Sequence, residues 1–172
     1  MAKLYQYVGS NEIRLSVADF PIGTRIDSVS QLEKWIAKTS RKPNIFSSIA
    51  ATFVVDFKGD LCIADRHSEH IACAGGFPVL SAGEIFFGSG NRGWEVLEIT
   101  NQSTGFCPEP ESWFQVAESL DRIPIDRPDK FTIEFVFRRC PACRQLNIIK
   151  ENLFVCSVCN TDLPHLWNCD NF

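Results

Sequence analysis

Short apolar runs rich in β-branched and aromatic residues, some alternating with polar ones as at 12–17, recur along the chain, and they are the signature of strands packed on a core. Such runs, bounded by turn residues, predict strands at residues 4–8 and 12–17, folded into an opening hairpin about Gly9-Ser10-Asn11, and at 52–57 and 61–64 about Lys58-Gly59-Asp60. Runs at 84–87, 94–99 and 131–137 have the same character. Two segments change period. Val29, Leu32 and Ile36 recur at helical spacing with Trp35 beside them, and Ser30-Gln31-Leu32-Glu33 supplies a capping box. Residues 30–39 therefore read as an amphipathic helix, ended by Arg41-Lys42-Pro43-Asn44. Pro110-Glu111-Ser112-Trp113 opens a second helix, on which Trp113, Val116, Ala117 and Leu120 share one face. Strands adjacent in sequence pair antiparallel, so the expectation is an α+β fold, a mostly antiparallel sheet with two helices.

Beyond residue 138 the chemistry sharpens. Cys140-Pro141-Ala142-Cys143 and Cys156-Ser157-Val158-Cys159 are two C-x-x-C pairs separated by twelve residues. Each such turn converges two thiolates on one point, and two turns complete a tetrahedral shell for Zn²⁺ that leaves no position for a metal-activated water. The spacing points to a structural zinc ribbon with Cys140, Cys143, Cys156 and Cys159 as ligands; redox-active C-x-x-C sites or two disulfides form the rival reading. Runs at 146–149 and 153–155 flank Lys150-Glu151-Asn152, which places each knuckle at the end of a hairpin strand. The residue after a knuckle's second cysteine calls for positive φ, which Asn160 tolerates better than Arg144. Because the 131–137 run passes almost directly into Cys140, the division is a 1–137 α+β body with a rigid extension, the 138–172 zinc ribbon.

Composition narrows the classes. The chain has 172 residues, 45% hydrophobic and 22% charged, enough for one core and a metal-stapled appendage. Its start has no basic segment followed by an apolar one, and no run reaches the length of a membrane helix, so a soluble, cytoplasmic protein is expected. Eight cysteines, four of them at metal spacing, suit a reducing compartment. Residues 1–137 carry 13 basic against 18 acidic side chains, a net of −5, and a body of that sign repels phosphate, so no general nucleic-acid binding is expected.

Two of the three histidines fall in the polar stretch 64–84, with Cys73 and three glycines, and a second polar turn spans 100–110. A base, a carboxylate, an amide and a hydroxyl from separate strands can converge: His70 as acid or base, Glu84 orienting it, and Asn101 and Ser103 positioning a polar ligand. The same residue types in turns also commonly bond their own backbone. On these residues the chain resembles a module with an H-H-S-S…A-G-x-P-V…A-G-E segment and an S-G-H-Y-[KR]-P motif, found in plant IQ-motif calmodulin-binding proteins and at the ends of bacterial polymorphic toxins. Over residues 52–122 His70 takes the second histidine's place, Gly76, Pro78 and Val79 follow, and Ala82-Gly83-Glu84 is the A-G-E. Asn101, Ser103, Phe106 and Pro108 overlay the second motif, while Glu69, Ile71-Ala72 and Thr104-Gly105 replace its first histidine, paired serines and Gly-His. No settled activity accompanies the resemblance.

His67, His70 and Cys73 lack a fourth ligand nearby for a second metal, and Cys73 or Cys107 needs a histidine at hydrogen-bond distance to act as a nucleophile. Near the C-terminus, Leu166 and Trp167 are expected to pack on the ribbon, or to anchor a partner. The reading that results is a non-enzymatic binding or adaptor protein with a protein partner and no membrane. Its alternative is a toxin-like transferase or hydrolase using His70 and Glu84 on a protein or nucleotide substrate.

Overall fold

The first departure from the period-two pattern is at Ser10. In the computed structural model, which describes residues 1–39 and 48–170, its side-chain oxygen accepts the Ile13 N–H at 3.1 Å. That cap, with Glu12 in the first turn, winds helix α1 (Asn11–Ser16) where the second strand of a hairpin was expected. Of the expected strand at 4–8, only Tyr5 bridges to the sheet, through Val79. Strand β1 (Thr24–Arg25) follows, then helix α2 (Val29–Lys38). The cap of α2 is Ser28, not Ser30: its oxygen accepts the Gln31 N–H at 3.2 Å, and Gln31 Oε1 accepts the Asp27 N–H at 2.8 Å. The expected stop at Arg41-Lys42-Pro43-Asn44 lies outside the described residues.

The central hairpin forms as read. Strands β2 (Ile49–Asp56) and β3 (Leu61–Asp65) are joined by a turn in which the Asp56 carboxylate accepts the N–H groups of Lys58 and Asp60, and Gly59 takes φ +87°. A short helix, α3 (His70–Cys73), leads to β4 (Val79–Gly90) and β5 (Gly93–Ile99). A 3₁₀ turn at Pro110–Ser112 opens helix α4 (Trp113–Leu120), and the chain ends in β6 (Phe137–Arg139) and β7 (Leu146–Ile148). The sheet is five-stranded and antiparallel, in the order β1-β3-β2-β4-β5, and β6 and β7 form a second, two-stranded one. Among the described residues only α2 and α4 exceed seven residues among the helices. No helix is long and apolar enough to cross a membrane.

Both faces of the large sheet are covered. Phe53, Val55, Ile85 and Phe87 pack on one face under Leu32 of α2 and Val116 and Leu120 of α4. Val54, Val79 and Ala82 pack on the other, under Ile71, Ala72 and Cys73 of α3 with Tyr5 and Phe106. The expected strand at 131–137 forms only at its end, as β6. Upstream it straps the outer edge of β5, where Thr132 N–H donates to the Ile99 carbonyl and Ile99 N–H to Thr132 Oγ1. At Phe135 the side chain of Asn101 replaces a ladder partner, accepting the N–H at 2.7 Å and donating to the carbonyl at 2.8 Å. Side chains thus take over the bonds that a regular strand would make.

Candidate functional site

Each C-x-x-C turn closes on itself in the same way. Cys140 N–H donates to the Gln145 carbonyl and Arg144 N–H to the Cys140 carbonyl; in the second knuckle Cys156 N–H donates to Thr161 and Asn160 N–H to Cys156. The turns require positive φ at the matching positions, and Arg144 (φ 67°) and Asn160 (φ 61°) adopt it. Cys140 and Cys156 are buried, while Cys143 and Cys159 are exposed. All four sulfurs lie within 4.8 Å of one another, with Cys140–Cys159 at 3.5 Å and Cys143–Cys156 at 3.6 Å. A tetrahedron of thiolates about 2.3 Å from a zinc ion has edges of about 3.8 Å, whereas a disulfide needs about 2 Å, and all eight cysteines are free. The donor set therefore fits a metal ion.

The sulfurs also receive hydrogen bonds. Cys143 N–H approaches Cys140 Sγ at 3.5 Å, Val158 N–H approaches Cys156 Sγ at 3.4 Å, and Asn147 Nδ2 approaches the same sulfur at 3.6 Å. Asn147, buried on β7, also accepts the Ser157 N–H and hydroxyl on its Oδ1, tying one knuckle to the other strand. Such contacts orient thiolates and offset their charge. A polar Asn between Leu146 and Ile148 was the only sequence signal for this role.

The ribbon is not one hairpin about Lys150-Glu151-Asn152. That turn forms, with positive φ at Glu151 and Asn152 and Leu153 N–H bonded to the Lys150 carbonyl, but the strands then splay. Phe154 and Cys156 pair instead with Leu163 and Thr161. A groove of about 490 Å³ opens between β7 and the 153–157 segment, lined by apolar Leu146, Ile148, Leu153 and Val155 and by polar Asn147, Ser157 and Asn160, with Lys150 at the turn.

The ribbon is also fastened to the body. Arg138, buried on β6, donates to the carbonyls of Phe137, Pro164 and His165 and sits 3.5 Å from the Glu109 carboxylate. The Asn168 side chain caps the outer edge of β6, accepting the Arg139 N–H at 2.9 Å and donating to its carbonyl at 2.7 Å. Trp167 packs where body and ribbon meet, against the cluster of Val8, Cys107, Phe137 and Cys169 and against the one holding Tyr5: its ring meets Tyr5 edge-on and its Nε1–H donates to the Cys107 carbonyl at 2.8 Å. Leu166 is 84% exposed.

The two polar segments of the body meet, but as packed backbone. β4 and β5 pair with Ile85 opposite Ile99, so Thr100 N–H reaches the Glu84 carbonyl, and a Cβ on Gly83 would collide with the Thr100 carbonyl oxygen. His70 Nε2 lies 2.9 Å from the Gly83 carbonyl, so its Nε2–H donates there. Burial holds this imidazole below its ordinary pKa, against the pull of that carbonyl. Asn101 is fully buried and bonded to Pro108 and Phe135, and Ser103 Oγ accepts the Phe106 N–H. Strand alternation puts Glu84 on the same face as Ala82, partly exposed, its carboxylate without a bonded partner among the described residues.

The remaining candidates are separated. His67 is exposed, while Cys73 is buried with its Sγ toward the Cys62 carbonyl and its pKa raised by burial. The Cys107 thiol bonds the Thr104 carbonyl, and its hydrogen bond with Cys169, together with burial, raises its pKa strongly. Compared with protein-family models, with curated proteins and with solved structures, the chain matches none.

Proposed function

We propose that this chain is a non-enzymatic protein-binding adaptor, with an α+β body carrying a ribbon whose four cysteines hold a structural Zn²⁺. The observation that carries this reading is the open groove of mixed apolar and polar lining beside the cysteine cluster, in a segment that also exposes Leu153 (65%), Val158 (65%) and Leu166 (84%). Isolated exposed apolar residues are ordinary, but a walled groove of this volume is the kind of surface that receives a ligand. His70, Asn101 and Ser103 are engaged with backbone groups, which leaves Glu84 as the one unengaged member of the cluster for acid–base work. A closed shell of four thiolates leaves no metal position for substrate, so the metal's role is structural.

The test is selection from a display library of random dodecapeptides on the zinc-loaded full chain. The adaptor reading expects binders that are lost on Leu153→Ser and after zinc is stripped by a chelator. Absence of enrichment, or binders indifferent to both changes, would refute it.

A further inference from the structure

Among the described residues the sheet edges are managed with one exception. An exposed strand edge invites pairing with another chain, and folded proteins blunt or cover it. Here β1 is two residues long, the outer edge of β5 lies under the 126–133 strap, and the outer edge of β6 is capped by Asn168. β7 has no such cover among the described residues. Cys140 N–H bonds to Gln145, and Ile149 N–H to Val136, which makes Arg138–Asn147 the bonded pair between them. The main-chain groups of Leu146 and Ile148 therefore turn away from β6 and into the groove. The Leu146 carbonyl takes the Gln145 amide, whereas Leu146 N–H and both main-chain groups of Ile148 have no hydrogen-bond partner among the described residues. Across the groove, Phe154 and Cys156 turn their main chain toward Leu163 and Thr161, so Val155 presents its own to the same space.

We infer that the groove is a strand-addition site: an extended segment of a protein partner pairs with the outer edge of β7. This rests on the ribbon being the binding surface, as proposed above, and specifies the occupant. Two N–H donors at alternate residues, followed by the Ile148 carbonyl as acceptor, match a β-strand backbone, which a helix, with its main chain bonded internally, cannot offer. Walls of Leu146, Ile148, Leu153 and Val155 take apolar side chains at every second position of such a segment. Lys150 is the one charged residue of the lining; it is exposed and makes no ion pair among the described residues, so the segment carries a carboxylate at the end beside the turn. Cys156 Sγ, also in the lining, already faces the Val158 and Asn147 donors. The partner chemistry is thus an extended, alternately apolar peptide with an acidic residue at one end.

The experiment uses the selected dodecapeptides on zinc-loaded full-length protein. Methylating one backbone nitrogen at a time along a binder should weaken it about tenfold at alternate residues and little at those between, since each removes a main-chain bond and adds bulk at the edge. Peptide should slow hydrogen exchange at the Leu146 and Ile148 amides, and Lys150→Glu should remove the preference for an acidic end. Binders that need Leu153 but tolerate N-methylation everywhere, or leave both amides unprotected, would overturn strand addition while leaving the ribbon as the binding surface. A binder whose acidic preference survives Lys150→Glu would overturn the assigned charge match. No binder at all would remove this inference together with the reading it rests on.

Discussion

Asn101 was the amide of a ligand pocket in the sequence and is a structural keystone in the fold. The Asn101→Ala exchange separates the two roles. It deletes three hydrogen bonds of 2.7–2.8 Å at a fully buried position, two donated to the carbonyls of Pro108 and Phe135 and one accepted from the Phe135 N–H. Each such bond is worth about 1 kcal/mol net, and stranding its buried partner raises the cost, so the loss is about 3–5 kcal/mol. Against a total stability of about 5–15 kcal/mol, that is a large fraction. Asn101→Asp keeps the shape and the acceptor but turns a carboxylate toward two carbonyls, and should cost at least as much. The assay is urea unfolding of zinc-loaded protein followed by tryptophan fluorescence, comparing midpoints at constant slope. Ser103→Ala, which frees only the Phe106 N–H, should cost about 1 kcal/mol, and Glu84→Gln under about 0.5 kcal/mol. A loss below about 1 kcal/mol in Asn101→Ala, with the fold retained, would refute the keystone argument.

Other outcomes follow from the same geometry. Elemental analysis should return one zinc per chain, and Cys156→Ser should lose it and expose residues 138–170 to protease, because metal-binding energy in such units is folding energy of about 10 kcal/mol; unchanged protease resistance would contradict this. Arg144→Asn should raise stability by about 0.5–1 kcal/mol in the same urea assay, since Asn bears φ 67° with less strain. His70 has a folded pKa below its ordinary 6.5, so the unfolded chain takes up its proton first. Its contribution is complete above pH 6.5 and is lost as pH falls from there toward the folded value; His70→Gln, which can keep a donor to Gly83, should flatten that slope. DNA or RNA binding should be absent or weak, and a salt dependence displacing about six or more counterions would show a basic surface the charge count does not contain.

What was legible was local. The knuckles, their zinc-type spacing and the positive-φ positions follow from ligand geometry confined to a few residues, and the turn at Lys58-Gly59-Asp60 carries its own signal in Gly59 and Asp56. α1 is hidden because Glu12-Ile13-Arg14-Leu15 alternates as a strand does; only the Ser10 cap distinguishes the two, and none of the helix is buried to enforce a period. α3, at four residues, is too short to show periodicity. The alternation at 131–137 is real, but its partners are side chains, Thr132 with Ile99 and Asn101 with Phe135, 33 and 34 residues apart. The splayed hairpin is hidden for the same reason: residues 153–155 suit pairing with either flank, and the contacts at Thr161 and Leu163 decide it.

The C-terminal segment has a mechanical meaning. Trp167 is held under the Lys3 ammonium, 3.4 Å above its ring, and Arg138 ties β6 to both Glu109 and the 164–165 carbonyls, so the ribbon is gripped at its base from two directions. A load on the ribbon is shared between these grips, with no single hinge to flex. On the adaptor reading proposed above, the appendage is a bracket and not a tether: a bound partner would take a fixed bearing relative to the five-stranded sheet, and orientation, more than mere proximity, is what such an attachment would confer.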